Sequence, residues 1–137
     1  MISPLVIFAF NRPKYLEKCL KSLKLNKLSR QTITYFFIDY PKLEKDFKNY
    51  NKVLKIVRET NIFKKKFIIQ RKYNYGLKKN ILNGINYVLK KNETIIVLED
   101  DLYLSKYFLD YMNKYLNFFK NSKNIASIHG YCYPIDK

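Results

Sequence analysis

Three consecutive carboxylates, Glu99-Asp100-Asp101, stand directly after the apolar run Thr94–Leu98 (TIIVL). Like charges a few ångströms apart raise one another's pKa, so such a triplet is costly unless a cation neutralises it. A hard divalent ion, Mn²⁺ or Mg²⁺, held by one or two carboxylates and completed by diphosphate oxygens and water, is the chemistry that fits. Two other strand ends carry polar groups: Asn11-Arg12 follows PLVIFAF, and Asp39 follows ITYFFI. Ligands of open α/β sheets bind beyond the carboxyl ends of the strands, so these groups are expected to face one crevice. Each has a plainer alternative. The triplet could be a polar loop with Asp101 capping the next helix, Asp39 could only open the Asp-Tyr-Pro turn, Arg12 could be a solvated residue before Pro13, and Gly76 could be a simple turn glycine. His129, the single histidine, is a weak candidate for a catalytic base; a satisfied histidine near the crevice is the commoner case.

The elements that must position these residues follow from periodicity. Short runs rich in Val, Ile and Phe alternate with segments of helical period, as expected when parallel strands are joined by crossover helices. Strands are expected over Pro4–Phe10, Ile33–Ile38 and Phe67–Ile69. A further strand over Thr94–Leu98, apolar on both faces, reads as central and buried, and a last one begins at Ile125–Ile128. Pro13 suits the first helical position, with Leu16, Cys19, Leu20 and Leu23 as its core stripe. The second helix spans about Leu43–Thr60 with the stripe Phe47, Tyr50, Leu54 and Val57. The third begins after Asn74-Tyr75-Gly76 and buries Leu77, Ile81, Ile85 and Val88. The fourth, Ser105–Lys120, presents Phe108, Met112, Tyr115 and Phe119. The whole is an α/β chain with a mostly parallel sheet and flanking helices, in one domain over residues 1–137.

Composition narrows the classes. Hydrophobic residues at 47% with only 3 Gly and 4 Pro exclude disordered and collagen-like chains. The net charge of +16 invites a nucleic-acid partner, but it comes from 23 Lys and only 4 Arg. Readers of nucleic acid lean on Arg for bidentate contacts. Residues 1–92 carry 22 basic and 5 acidic side chains (+17), whereas residues 93–137 carry 5 and 6 (−1), so the acids gather where the bases thin out. Most of the charge therefore reads as solvated helix surface, and no nucleic-acid partner is expected. Cys19 and Cys132 lie far apart without metal-ligand neighbours, so reduced thiols are expected and Cys19 reads as core. The N-terminus lacks a basic leader, and no apolar run approaches the roughly 18–20 residues of a membrane span, so a cytoplasmic protein is expected.

At this point the sequence resembles a known family. PLVIFAFNRPKYLEKCLKSL, FFIDYP, NYGLKKNILNGINYVL and IIVLEDDLYLSKYF together look like the Rossmann-like, nucleotide-sugar-binding half of glycosyltransferases of the GT-A fold. The family-2-like sugar transferases are the nearest likeness, and the triplet is similar to the EDD version of the DXD motif in N-acetylglucosaminyltransferase I. The resemblance implies that Phe10, Asn11 and Arg12 line the nucleotide pocket, with Arg12 near the uridine or its phosphates. It implies that Asp39 accepts a hydrogen bond from the uracil ring, that Glu99 and Asp100 face the ribose and donor sugar, and that Asp101 is the metal ligand. Asn74, Gly76 and Asn80 match an N-x-G-x-x-x-N pattern at which loop and helix approach the donor, and Lys78 or Lys79 could reach the diphosphate.

The implied function is a metal-dependent, hexosyltransferase-type enzyme that moves the sugar of a nucleotide-sugar donor, UDP-linked by expectation, to a glycan or lipid-linked acceptor. Members of the type have a second half after the metal motif that supplies the acceptor site and commonly the base. Here only Leu102–Lys137 follows it, so this chain is expected to lack the acceptor half. Activity of the chain alone is therefore open, as are peripheral membrane association and a homo-oligomer or partner chain that completes the site. An exposed apolar surface that includes Tyr131 and Tyr133 is expected where such a segment packs. The competing readings are a donor-binding module without turnover and a small basic nucleic-acid-binding protein. A nucleotidyltransferase ranks lower, because Asn11-Arg12-Pro13 stands where a glycine-rich phosphate loop is needed.

Overall fold

Residues 2–131 are described by a computed structural model. Leu5–Ala9 (β1) is apolar at every position and buried on both faces, which only a strand inside a covered sheet achieves. It pairs in parallel with Ile33–Ile38 (β2) on one side and with Ile96–Glu99 (β4) on the other. Lys65–Gln70 (β3) pairs in parallel with β2, giving the order β3-β2-β1-β4. The order reverses between β1 and β4, and this is the switch point at which open parallel sheets part their loops and leave a crevice.

Alternation along the strands sends side chains to two layers. Leu5, Ile7 and Ala9 of β1, with Phe36, Ile38, Ile96 and Leu98, meet three helices: Pro13–Lys24 (α1), Phe47–Glu59 (α2) and Phe108–Phe118 (α4). Val6, Phe8 and Phe37 face Leu77–Leu89 (α3) on the opposite side. The α1 stripe is buried as its spacing predicts, with Cys19 at 0% exposure. Burial pushes the Cys19 thiol up to about 12, so it stays a protonated core group and not a nucleophile. Cys132 and Tyr133 lie outside the described residues.

Several expectations from periodicity change in the folded chain. The run Thr94–Leu98 yields an edge strand, not a central one: β4 pairs only with β1 among the described residues, and Val97 is 39% exposed. An apolar run cannot tell a strand flanked on both sides from one with a single neighbour, because the partner is set by topology. Ile125–Ile128 forms no strand; it is unpaired chain, although Ile128 packs against the larger core. In α2, Val53 joins Tyr50, Leu54 and Val57 in the core, while Phe47 stays at the rim against the rings of Tyr40 and Tyr50. In α3, Leu77 is exposed and Asn80 and Gly84 are buried with Val88. A Cβ on Gly84 would stand 2.5 Å from Cε1 of Phe8, so the missing side chain lets the helix lie directly on the sheet. In α4, Leu109, Met112 and Asn113 are the buried positions, and Phe119 falls just past the helix.

Two polar side chains secure helix ends that the stripes do not explain. The Lys66 ammonium donates to the carbonyls of Val57 (2.8 Å), Arg58 and Thr60, closing the C-terminus of α2. Asn26, buried after α1, donates to Ser22 and Ser105 carbonyls and accepts from the Leu109 amide at 2.9 Å, which fixes the entry to α4. No helix among the described residues is long and apolar enough to cross a membrane.

Candidate functional site at the sheet switch point

The crevice between the ends of β1, β2 and β4 has a volume of about 350 Å³, and Phe10, Arg12, Asp39, Asn74, Gly76, Glu99 and Asp100 all lie on its wall. Residues from four separate segments are thus brought together as the strand-end pattern predicts.

Arg12 is the central group. Leaving β1 just before Pro13 starts α1, it sends its guanidinium fork across the switch point to the end of β4. Nη2 donates to Asp100 Oδ1 at 2.5 Å and Nη1 to Asp101 Oδ2 at 2.8 Å. The fork therefore spans two adjacent carboxylates, a geometry that the planar guanidinium supplies and an ammonium does not. Burial alone would lower the Arg12 pKa; the two carboxylates more than offset it and hold the group above its ordinary value. Asp100 is 1% exposed on its side chain, whereas Asp101 is 38% exposed at the mouth. Burial pushes the Asp100 carboxyl up against the opposing pull of Arg12. Its Oδ2 is buried and makes no hydrogen bond of good geometry, although the Phe10 backbone amide, like Arg12, favours the ionised carboxylate. A buried carboxylate oxygen short of a partner, beside the crevice that Asp100 lines, is an acceptor that a donor or a cation would satisfy.

Asp39 has a different position. Its Oδ1 accepts from the amides of Tyr75 (2.8 Å) and Tyr40 (3.0 Å), and its Oδ2 from the Gly76 amide (2.9 Å) and more distantly from Asn74 Nδ2 (3.5 Å). Asn74 also donates to the Tyr40 carbonyl at 2.7 Å. The end of β2 thereby pins the turn before α3, and Gly76, at φ 73°, supplies the left-handed residue that this turn needs. The crevice wall is built from backbone held by one carboxylate.

Not every expected residue reaches the crevice. Asn11 turns away to donate to Asp46 Oδ1 at 2.7 Å, and with Arg12 it borders a larger groove of about 770 Å³ between α1 and α2. Lys78 and Lys79 line a shallow groove on the outer side of α3, where the Lys79 ammonium sits 4.8 Å over the Tyr75 ring. Asn80 is buried and meets Arg71, whose Nε donates to Asn80 Oδ1 at 2.8 Å and whose guanidinium lies between the rings of Phe37 and Tyr75. Arg71 is the residue that the motif reading misses. Its place at the end of β3, beside an N-x-G-x-x-x-N segment, was the only signal available. His129 lies with a cluster of tyrosines beyond the acidic loop, its Nε2 3.1 Å from Ser127 Oγ.

Among the described residues no three His, Cys, Asp or Glu side chains gather as a self-sufficient metal cluster. A hard cation that shares substrate phosphates needs only one or two carboxylates. Exposed Asp101 and the buried Asp100 Oδ2 provide that donor set, so the residues present fit a cation completed by its substrate.

The fold is shared with solved structures. A crystal structure of S. aureus TarS 1–349 superposes with a TM-score of 0.62 at 18% identity, covering 85% of this chain and 33% of that one. S. aureus TarS gives 0.64 at 20% identity over 86% and 20%, and TarS 1–349 in complex with UDP gives 0.65 at 17% identity over 93% and 38%. The chain thus spans about a third or less of the length of the first of these structures and at most 38% of any of the three. No protein of curated function matches it in sequence. The parallel sheet with flanking helices is the nucleotide-binding half of the GT-A architecture, and with residues 5–135 matching the family described as glycosyl transferase family 2, the chain belongs to that family.

Proposed function

We propose that this chain is the donor-binding part of a metal-dependent transferase that takes a UDP-sugar and passes the sugar to a hydroxyl of a glycan or lipid-linked acceptor in the cytoplasm. The observation that carries the reading is the Arg12 fork over Asp100 and Asp101 at the crevice that Arg12 and Asp100 line. UDP in the TarS complex of like fold supports the choice of nucleotide.

Asp101, with Asp100 Oδ2, would hold Mn²⁺ or Mg²⁺, which when bound neutralises charge on the departing diphosphate. The chain's own residues do the rest. Arg12 offers a second positive charge at the same strand ends, and its half-exposed guanidinium is free to exchange a carboxylate for a phosphate oxygen. Asp39 and the turn it pins orient the uracil, while Glu99 faces the ribose and sugar. The acceptor hydroxyl, giving up its proton to a carboxylate or histidine acting as general base, then attacks the anomeric carbon as the C–O bond to the diphosphate breaks, with inversion if displacement is direct. Titration calorimetry with UDP, with and without Mn²⁺, tests the reading; Mn²⁺-dependent binding is expected, and its absence overturns it. UDP release on adding UDP-sugars and candidate acceptors then separates sugar transfer from donor binding without turnover.

A further inference from the structure

Residues 60–92 hold eight Lys and one Arg and neither Asp nor Glu. This acid-free stretch forms β3, the turn before α3 and α3 itself. Of the four α-helices among the described residues, α3 alone lacks an acidic residue: α1 carries Glu17, α2 Glu59 and α4 Asp110. One side of α3 rests on the sheet through Ile81, Ile85 and Val88, while α1, α2 and α4 pack on the opposite side of that sheet. The outer side of α3 presents Lys79, Leu82, Asn86 and Leu89 to solvent, and exposed Lys90 continues it. Leu82 and Leu89, seven residues apart on one face, are 53% and 41% exposed.

Aromatic contacts extend this surface on both flanks. The Lys79 ammonium lies 4.8 Å over the Tyr75 ring and 5.7 Å over the ring of exposed Tyr73. Lys65 stands 4.8 Å over Phe67, which stacks on Tyr35, and Tyr35 in turn meets Tyr87 of α3, so Lys65 is on the α3 side of the sheet.

We propose that this face of α3 is a docking surface for an anionic lipid bilayer. A negative headgroup layer complements a basic face free of carboxylates, and the leucines between the lysines enter the boundary of headgroups and acyl chains. Tyrosine beside lysine suits the same depth, with the ring in the interface and the hydroxyl in water. A nucleic-acid backbone would match the charge but set Leu82 and Leu89 against phosphates. The one Arg of the stretch, Arg71, is buried between the Phe37 and Tyr75 rings and out of reach of such a backbone. Gly76 and Leu77 border both the groove along α3 and the crevice, so docking on this face sets the crevice beside the headgroups. The surface is independent of the nucleotide and metal assignments.

A chain of net charge +16 adheres to anionic vesicles without any particular face, so the test must separate a face from the overall charge. Co-sedimentation of the whole chain with phosphatidylcholine vesicles, with and without phosphatidylglycerol, makes that separation. Binding is expected only with phosphatidylglycerol. Leu82→Asn combined with Leu89→Asn leaves the charge unchanged and should lower the partition coefficient by about fivefold or more, through lost apolar burial. Lys79→Glu combined with Lys90→Glu should lower it by about tenfold or more relative to Lys18→Glu combined with Lys21→Glu on α1, a pair that changes the net charge equally. All the exchanged side chains are exposed, and melting temperatures check that the variants are folded. No binding to either vesicle, or equal binding to both, overturns the surface. Equal partitioning of wild type and the leucine variant, or equal losses in the two charge-reversal pairs, overturns it too, as does loss of RNA binding in the α3 variants with vesicle binding intact. Vesicle binding that depends on α3, without UDP binding, sinks the donor assignment and leaves the docking surface standing, so the two failures are distinct.

Discussion

At the scale of single residues, the site depends on a division of labour between two neighbouring carboxylates. Asp100 is buried with one oxygen on Arg12 and one without a hydrogen bond of good geometry, while Asp101 stands at the mouth. Asp101→Ala should abolish the Mn²⁺ dependence of UDP binding and leave the melting temperature unchanged, because an exposed carboxylate contributes little to the fold; unchanged affinity in calorimetry would sink the assignment. Arg12→Lys keeps the charge and loses the fork, so UDP affinity should fall by about tenfold. An affinity within error of wild type would show that charge alone suffices. Strand-end position made Arg12, Asp39 and the triplet legible as candidates. The pairing of Arg12 with carboxylates 88 and 89 positions away was not, because no local pattern encodes it.

At the scale of elements, backbone approach decides where α3 lies. Gly84→Ala would drive a methyl into the Phe8 ring, and such overpacking typically costs about 1–3 kcal/mol, to be read from urea unfolding. Gly76→Ala meets no neighbouring atom, yet its positive φ should still cost about 1 kcal/mol and loosen the turn that Asp39 holds. If both variants unfold at the wild-type midpoint, the packing account of α3 is wrong. Periodicity announced the helix. It set Ile81, Ile85 and Val88 against the sheet, where they pack, but placed Leu77 inside and left Asn80 and Gly84 out, because hydrophobicity says nothing about a polar residue satisfied by Arg71 or a glycine that allows close approach.

For the whole molecule, β1 and β2 are the strands paired on both sides, whereas β3 and β4 are edges among the described residues. Amide exchange should therefore be slowest across Leu5–Ala9 and Ile33–Ile38 and faster in β3 and β4; equal protection in β4 would point to a further strand or partner covering its open edge. The alternation of apolar runs and helical stripes determined the α/β class, the four helices and the strand-end placement of the acids, since those depend on local period and on which side chains tolerate water. Tertiary structure alone decided that β4 is an edge among the described residues, that Arg12 bridges the switch point, and that Asp39 holds the α3 turn. Those facts are contacts between distant segments, and strand order, not any residue's own preference, brings distant segments together.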